Sequence, residues 1–138
     1  MAKLGPFVNA YLTINGVDLS NEIDTVTLAL TRADVPITAM GDGGDMHAAG
    51  LQSNKLDVIF FQDYTASKTD ATLLPIFQGG TAVAFKMGGN GTAFSATNPS
   101  YSGSVVLLAY TPLDGKVGAA LMAPVSFVVQ GTITEGTT

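Results

Sequence analysis

Residues 24–30 place Val26, Leu28 and Leu30 on one side of an extended chain, and Thr25, Thr27 and Ala29 on the other. A repeat of two residues matches a strand, whose successive side chains point to opposite faces, and does not match the 3.6-residue period of a helix. The same alternation returns three times. In residues 54–61, Leu56, Val58 and Phe60 oppose Lys55, Asp57, Ile59 and Phe61; in residues 82–87, Val83, Phe85 and Met87 oppose Ala82, Ala84 and Lys86. In residues 125–134, Val125, Phe127, Val129 and Ile133 share one parity and the polar Ser126, Gln130, Thr132 and Thr134 the other, before a polar tail from Glu135. Each of these segments needs one face covered, so the chain is bound to a sheet-based core.

Turn signals divide the strands. Asn15-Gly16 follows an apolar run from Phe7 to Ile14, and this dipeptide suits the mirror-image turns of tight hairpins, so residues 7–20 are expected to form a first hairpin. Gly88-Gly-Asn-Gly91 closes the run at Val83. Residues 104–110 are apolar on both faces, as in a central strand or one at a subunit interface. One segment breaks the pattern. Residues 69–78 put Leu73, Leu74 and Phe77 on a helical face, Thr69 or Asp70 can cap the first amides, and Gly79-Gly80 permits a left-handed end. Pro75 must sit in the first turn or be tolerated as a kink. With no repeat and no linker, residues 1–138 read as one mainly β domain, a β-sandwich or barrel with one short helix and a long glycine-rich loop at about residues 40–50.

Composition bears on what covers the outer faces. The 138-residue chain is 46% hydrophobic and only 12% charged, about half the usual charged share. Such a surface is too neutral to coat a monomer, and oligomerisation is expected. Net charge is −5, with the basic residues scattered singly at Lys3, Arg32, Lys55, Lys68, Lys86 and Lys116. That distribution argues against a nucleic-acid grip, which needs a clustered positive footprint. There are no cysteines, so disulfides and thiolate metal sites are excluded. No apolar run approaches the ~20 residues of a membrane-spanning helix, and the start Met1-Ala-Lys-Leu-Gly-Pro-Phe-Val lacks the apolar core of a secretory signal. A cytoplasmic site of synthesis or assembly, and no membrane, is the expectation.

Chemistry has few candidates. His47 is the only histidine, and no Gly-x-Ser-x-Gly elbow accompanies it, so it reads as a solvent-facing loop residue. Asp42 and Asp45 bracket Gly43-Gly44, but a calcium loop needs further oxygen ligands at alternate positions and usually a closing glutamate. Gly41-Asp-Gly-Gly lacks the lysine followed by Ser or Thr of a phosphate loop, and its aspartates would repel phosphate. Tyr64, Tyr101, Tyr110, Phe85 and Phe94 have no cluster of basic residues interleaved among them for base stacking, only the single Lys68 and Lys86. No cofactor, no metal and no enzymatic activity are expected.

Taken in order, the chain's phrases resemble the phage tail tube proteins, the major tail proteins of long-tailed phages. The resemblance rests on Asn15-Gly-Val-Asp-Leu-Ser20, the strand from Ile23 to Leu30, Thr38-Ala-Met-Gly-Asp42, Ala49-Gly-Leu51 and the run from Leu56 to Tyr64. It continues through Asp70-Ala-Thr-Leu-Leu74, Ala96-Thr-Asn-Pro-Ser-Tyr-Ser-Gly103 and the last strand from Val125 to Gly131, and so covers nearly the whole chain. The resemblance implies a β-sandwich or barrel flanked by one helix, in subunits that form rings, usually hexameric, stacked into a hollow tube through which DNA passes without specific binding. It implies a virion tail location, assembly in the host cytoplasm, and a tape measure protein and tail terminator or tip proteins as partners. Relatives often carry a basic residue in the loop that reaches the next ring, where this chain has Asp45, Met46 and His47.

On this reading the inter-subunit contact falls on Met40, Gly41, Asp42, Gly43, Gly44, Asp45, Met46, His47, Ala48, Ala49 and Gly50. The lumen-lining sheet is expected from residues 23–40 and 54–64, with Thr25, Thr27, Lys55 and Asp57 facing the channel. The alternatives are a capsid decoration protein, another tail component such as a terminator, and a carbohydrate-binding β-sandwich, against which the absence of tryptophan counts.

Overall fold

The structure, a computed structural model, describes residues 10–89 and 94–137. Residues 7–9 of the expected first hairpin, Asn90 and Gly91 of the turn after Val83, Lys3 and Thr138 lie outside that range. The chain runs β1 (Tyr11–Ile14), β2 (Val17–Asp18), a 3-10 turn (Ser20–Glu22), β3 (Ile23–Ala29), β4 (Arg32–Pro36), β5 (His47–Gln52) and β6 (Lys55–Phe61). Then come the helix α1 (Thr69–Gly79), β7 (Val83–Gly88), β8 (Ser100–Tyr110) and β9 (Met122–Gly136).

Seven strands form one antiparallel sheet in the order β2-β1-β7-β8-β9-β6-β3, while β4 and β5 pair only with each other. The sheet curls into a half-barrel. Its curvature carries Val26 and Leu28 of the edge strand β3 to the rim of a hollow of about 330 Å³ whose other side is Met87 of β7 and Tyr101 of β8. Among the described residues, the mainly β fold with a single short α-helix is as the sequence leads one to expect. At the first turn, Asn15 (φ 52°) and Gly16 (φ 81°) both take positive φ, and β1 folds back on β2 there. That is the mirror-image turn the Asn-Gly pair favours.

The alternation decides what is buried. Leu56, Val58 and Phe60 of β6 and Val125, Phe127 and Val129 of β9 line one continuous core, with Val105 and Leu107 between β7 and β9 in β8. The helix lays Leu73 and Ile76 onto the same core and packs against β8. Its buried face is Thr69, Thr72, Leu73 and Ile76; Phe77, expected on that face, is 42% exposed. The expected side-chain cap is also absent. Lys68 occupies the N-cap position with no side-chain bond, because Thr69 instead donates its hydroxyl to the Phe61 carbonyl (3.1 Å) and Asp70 accepts from the Tyr110 hydroxyl (2.8 Å). Pro75 lies inside the helix, beyond its first turn. Gly80 (φ 67°) closes the helix in the left-handed conformation, its amide bonded to the Ile76 carbonyl at 3.1 Å, the end that the glycine pair allows.

Two further expectations change. The last strand does not stop before Glu135: β9 continues to Gly136, its outer half re-registered on β8 where Gly131 takes φ 84°. Residues 23–40 do not serve one sheet. β3 ends at Ala29, Leu30 emerges 56% exposed, and the chain passes into the separate β4–β5 ladder. Among the described residues, no helix is long and apolar enough to cross a membrane.

Candidate assembly surfaces

The glycine-rich segment is the outer half of a β-hairpin arm. Arg32 faces Gln52, Asp34 faces Ala49, Val35 faces Ala48 and Pro36 faces His47 across the ladder. His47, Ala48, Ala49 and Gly50 therefore belong to a strand, and the connecting loop runs from residue 37 to 46 rather than from 40 to 50. Sequence pattern missed β5 because Ala48, Ala49 and Gly50 carry no alternating bulk; backbone pairing with β4 makes them extended. Gly50 has a specific reason to be glycine. A Cβ there would lie 2.9 Å from the Ala33 Cβ and 3.1 Å from the Ala33 carbonyl, at the point where the β4–β5 register shifts.

The loop is ordered by its own bonds. The Met46 amide donates to the Thr38 hydroxyl (2.8 Å) and the Ile37 amide to the Met46 carbonyl (2.9 Å). Asp42 accepts the Ala39 amide on its carboxylate at 2.7 Å while its own amide donates to the Ala39 carbonyl at 3.1 Å. Gly41, between them, takes φ 100°. Asp42 is thus a turn-forming residue. His47 is exposed, and its Nδ1 lies 2.7 Å from Asp34 Oδ1 across the arm. No group of three His, Asp or Glu side chains able to hold a metal occurs among the described residues.

Every residue from Thr31 to His47 is exposed, including Val35, Ile37 and Met46, and Met40 is fully so at 104%. The arm stands away from the core. Its base, by contrast, is clamped to the sheet through a residue that the sequence pattern did not single out. Asn54, 1% exposed, accepts the Thr31 amide (3.3 Å) on its side chain, donates to Gln52 Oε1 (3.1 Å) and accepts the Val129 amide (3.0 Å) on its carbonyl. The Thr31 carbonyl also takes the Ser53 amide at 2.8 Å, and the Thr31 hydroxyl donates to the Ser53 carbonyl. An asparagine immediately before an alternating run is the signal that the sequence offers.

Three of the four residues expected to face the channel lie together, and Lys55 lies apart from them. Thr25, Thr27 and Asp57 share the face of β3 and β6 turned away from the core, and with Ile59, Ala109, Thr111, Pro124 and Ser126 they line an open hollow of about 390 Å³. The Ser126 hydroxyl donates to Asp57 Oδ1 at 3.0 Å. Lys55 is exposed beside Ala29, at the end of the sheet from which the arm leaves. This face combines hydroxyls, small apolar groups and one carboxylate.

At the opposite end lies the β8–β9 connection, residues 111–121, exposed from Thr111 to Ala120. It is held in place. Asp114 and Met122 exchange backbone bonds of 3.3 and 3.0 Å, and the Tyr64 hydroxyl donates to the Pro112 carbonyl at 3.0 Å. Gln62 donates to Tyr110 Oη at 3.1 Å, and that hydroxyl in turn donates to Asp70. Burial, opposed by the Gln62 bond and reinforced by the Asp70 carboxylate, pushes the Tyr110 phenol up to about 12. The Thr65 hydroxyl and amide hold the Asp63 carboxyl below its ordinary value.

No protein-family profile and no curated protein matches the sequence. Solved structures do match in fold. A chain in the tail of an empty GTA particle, refined helically with C6 symmetry, superposes with a TM-score of 0.72 at 12% identity, covering 96% of this chain and 98% of that one. The SPP1 tail tube gives 0.73 at 12% identity, covering 98% of this chain and 79% of that one. The sheath-tube complex of an extracellular contractile injection system gives 0.67 at 7% identity, covering 99% and 93%. Over nearly its whole length, this chain has the curled-sheet fold seen in those tail and tube structures.

Proposed function

We propose that this protein is a structural subunit of a phage-type tail tube, which self-assembles into stacked rings around a channel for DNA and carries out no catalysis. The observation that carries the reading is the β4–β5 arm: residues 31–47 are exposed throughout, yet held by their own hydrogen bonds and a buried clamp. Apolar side chains on an arm fixed in this way have no use within one copy. Contact with a second copy would cover them. The fold shared with a C6 tail and with a tail tube supports hexameric rings.

In this arrangement Thr25, Thr27 and Asp57 face the channel, with Lys55 at its rim. Hydroxyls and a carboxylate give a duplex no cationic grip, so DNA would slide past without specific binding. The virion tail is then the protein's location, the host cytoplasm its place of assembly, and a tape measure protein and terminator or tip proteins its partners. Electron microscopy of the concentrated purified chain tests the proposal. Hollow tubes of stacked rings are the expected outcome; isolated trimers or a single ring that never stacks would favour a decoration or terminator role and refute it. A shortened arm sharpens the test. Replacing residues 39–45 by Asn-Gly, which keeps the Thr38–Met46 pairing, should leave a folded monomer that no longer polymerises.

A further inference from the structure

The strand register sets two turns at opposite ends of the same sheet. The arm continues from Ala29 and Lys55, which face each other at one end of β3 and β6. The β8–β9 connection emerges at the other end, where Phe61 faces Met122. The six steps from Lys55 to Phe61 separate the ends by about 20 Å. Each projection finishes in a turn with a positive-φ glycine, Gly41 at 100° and Gly118 at 88°. Each turn also presents a fully exposed apolar side chain, Met40 at 104% and Val117 at 102%.

Their charges are opposite. Between residues 37 and 46 the arm carries Asp42 and Asp45 and no Lys or Arg. The other turn is built on Lys116, whose carbonyl takes the Ala119 amide at 3.0 Å, while Asp114, also exposed, lies two residues earlier at the base of the connection, where its backbone pairs with Met122. Lys68 lies at the same end, beyond β6. Leu113 (71% exposed), in the same connection, and Tyr64 (58%), bonded to the Pro112 carbonyl, add apolar area at this end of the sheet. Because the Tyr64 and Asp114 bonds already hold that surface, docking on it costs little ordering of the receiving side.

Resting on the tube reading, we infer that the arm's turn at residues 40–42 docks on the turn at residues 116–118 of a second copy of this chain. Met40 packs against Val117 and Leu113, and Asp45 pairs with Lys116. The two surfaces differ and lie at opposite ends, so the contact is heterologous and repeats from copy to copy without closing. It is the axial contact of a stack. A thioether side chain suits such a joint because it adapts to the surface it meets.

The chain has no native cysteine, which makes the contact directly testable by crosslinking. The full chain carrying both Met40→Cys and Val117→Cys is assembled, oxidised and run on a non-reducing gel. A covalent ladder extending beyond six subunits is expected, reversed by reductant and absent from either single variant. Tubes that yield only monomers and dimers would overturn the contact while leaving the tube reading intact. A wild-type chain that forms no tubes would overturn the reading and the contact together. Should the cysteines block assembly, the charges decide. Lys116→Glu should raise the concentration needed for tubes several-fold, and adding Asp45→Lys should restore it; a Lys116→Glu chain that assembles like wild type overturns the pairing.

Discussion

The side-chain oxygen of Asn54 accepts the backbone amide of Thr31 at 3.3 Å, joining the two points at which the chain leaves the sheet for the arm and returns to it. The residue is 1% exposed and also bonds Gln52 and the Val129 amide. Arm and sheet are thereby coupled through one buried polar group.

Removing that group should show in both parts. Asn54→Ala leaves the Thr31 amide without its partner, at a cost of about 1–3 kcal/mol. Urea unfolding should report a loss in that range, and amide exchange in residues 31–36 should accelerate together with it. An unchanged midpoint would mean that the clamp contributes nothing.

Gly50 separates arm from core. In Gly50→Val the new Cβ would meet Ala33 at 2.9 Å, a contact that must push β4 and β5 apart. Since the arm contributes no residue to the core cluster, the unfolding midpoint should change little. Residues 33–36 and 47–50 should instead become open to protease and to rapid exchange, and tube formation should fail.

Tyr110 predicts an alkaline limit. Its phenol rises from 10.0 to about 12 in the folded chain, chiefly by burial. Between those values the folded state holds a proton that the unfolded state has lost, so stability falls as pH rises. It should be level below pH 10 as far as this group is concerned and decline from there towards pH 12. Tyr110→Phe should remove that part of the slope, and should cost stability at neutral pH through the lost bonds to Asp70 and Gln62. Thermal unfolding across the pH series measures both.

Parity in the sheet gives a paired comparison. Phe127 is fully buried, whereas Leu108 is 60% exposed where β8 shifts register on β9. Phe127→Ala should destabilise by about 3–5 kcal/mol through lost burial and the cavity left behind. Leu108→Ala should stay within about 0.5 kcal/mol in the same denaturant titration.

Much of the sheet was legible because burial acts on neighbours along the chain. Leu56, Val58 and Phe60, like Val125, Phe127 and Val129, announce their buried side by a period of two, and Asn15-Gly16 announces its turn by the φ values that only a few residues accept. Helix α1 was legible in extent but not in orientation. Its missing side-chain cap depends on Tyr110, 40 residues beyond Asp70, and on Phe61, before the helix, which take up the side chains of Asp70 and Thr69. The residue pattern places a loop at 40–50 where the structure has a strand from His47, for the same reason of range. The Ala48-Ala49-Gly50 run has no pattern of its own and becomes a strand only because β4 offers it hydrogen bonds and Ala33 leaves room for no Cβ at Gly50. The sequence by itself determined which faces are apolar, where the tight turns fall and that too few charges are available to cover a monomer. The tertiary structure alone decided that β3 ends where the arm begins, that Asn54 locks that junction, and that the arm and the Lys116 turn lie at opposite ends. These are relations between residues far apart in the chain, which no local periodicity encodes.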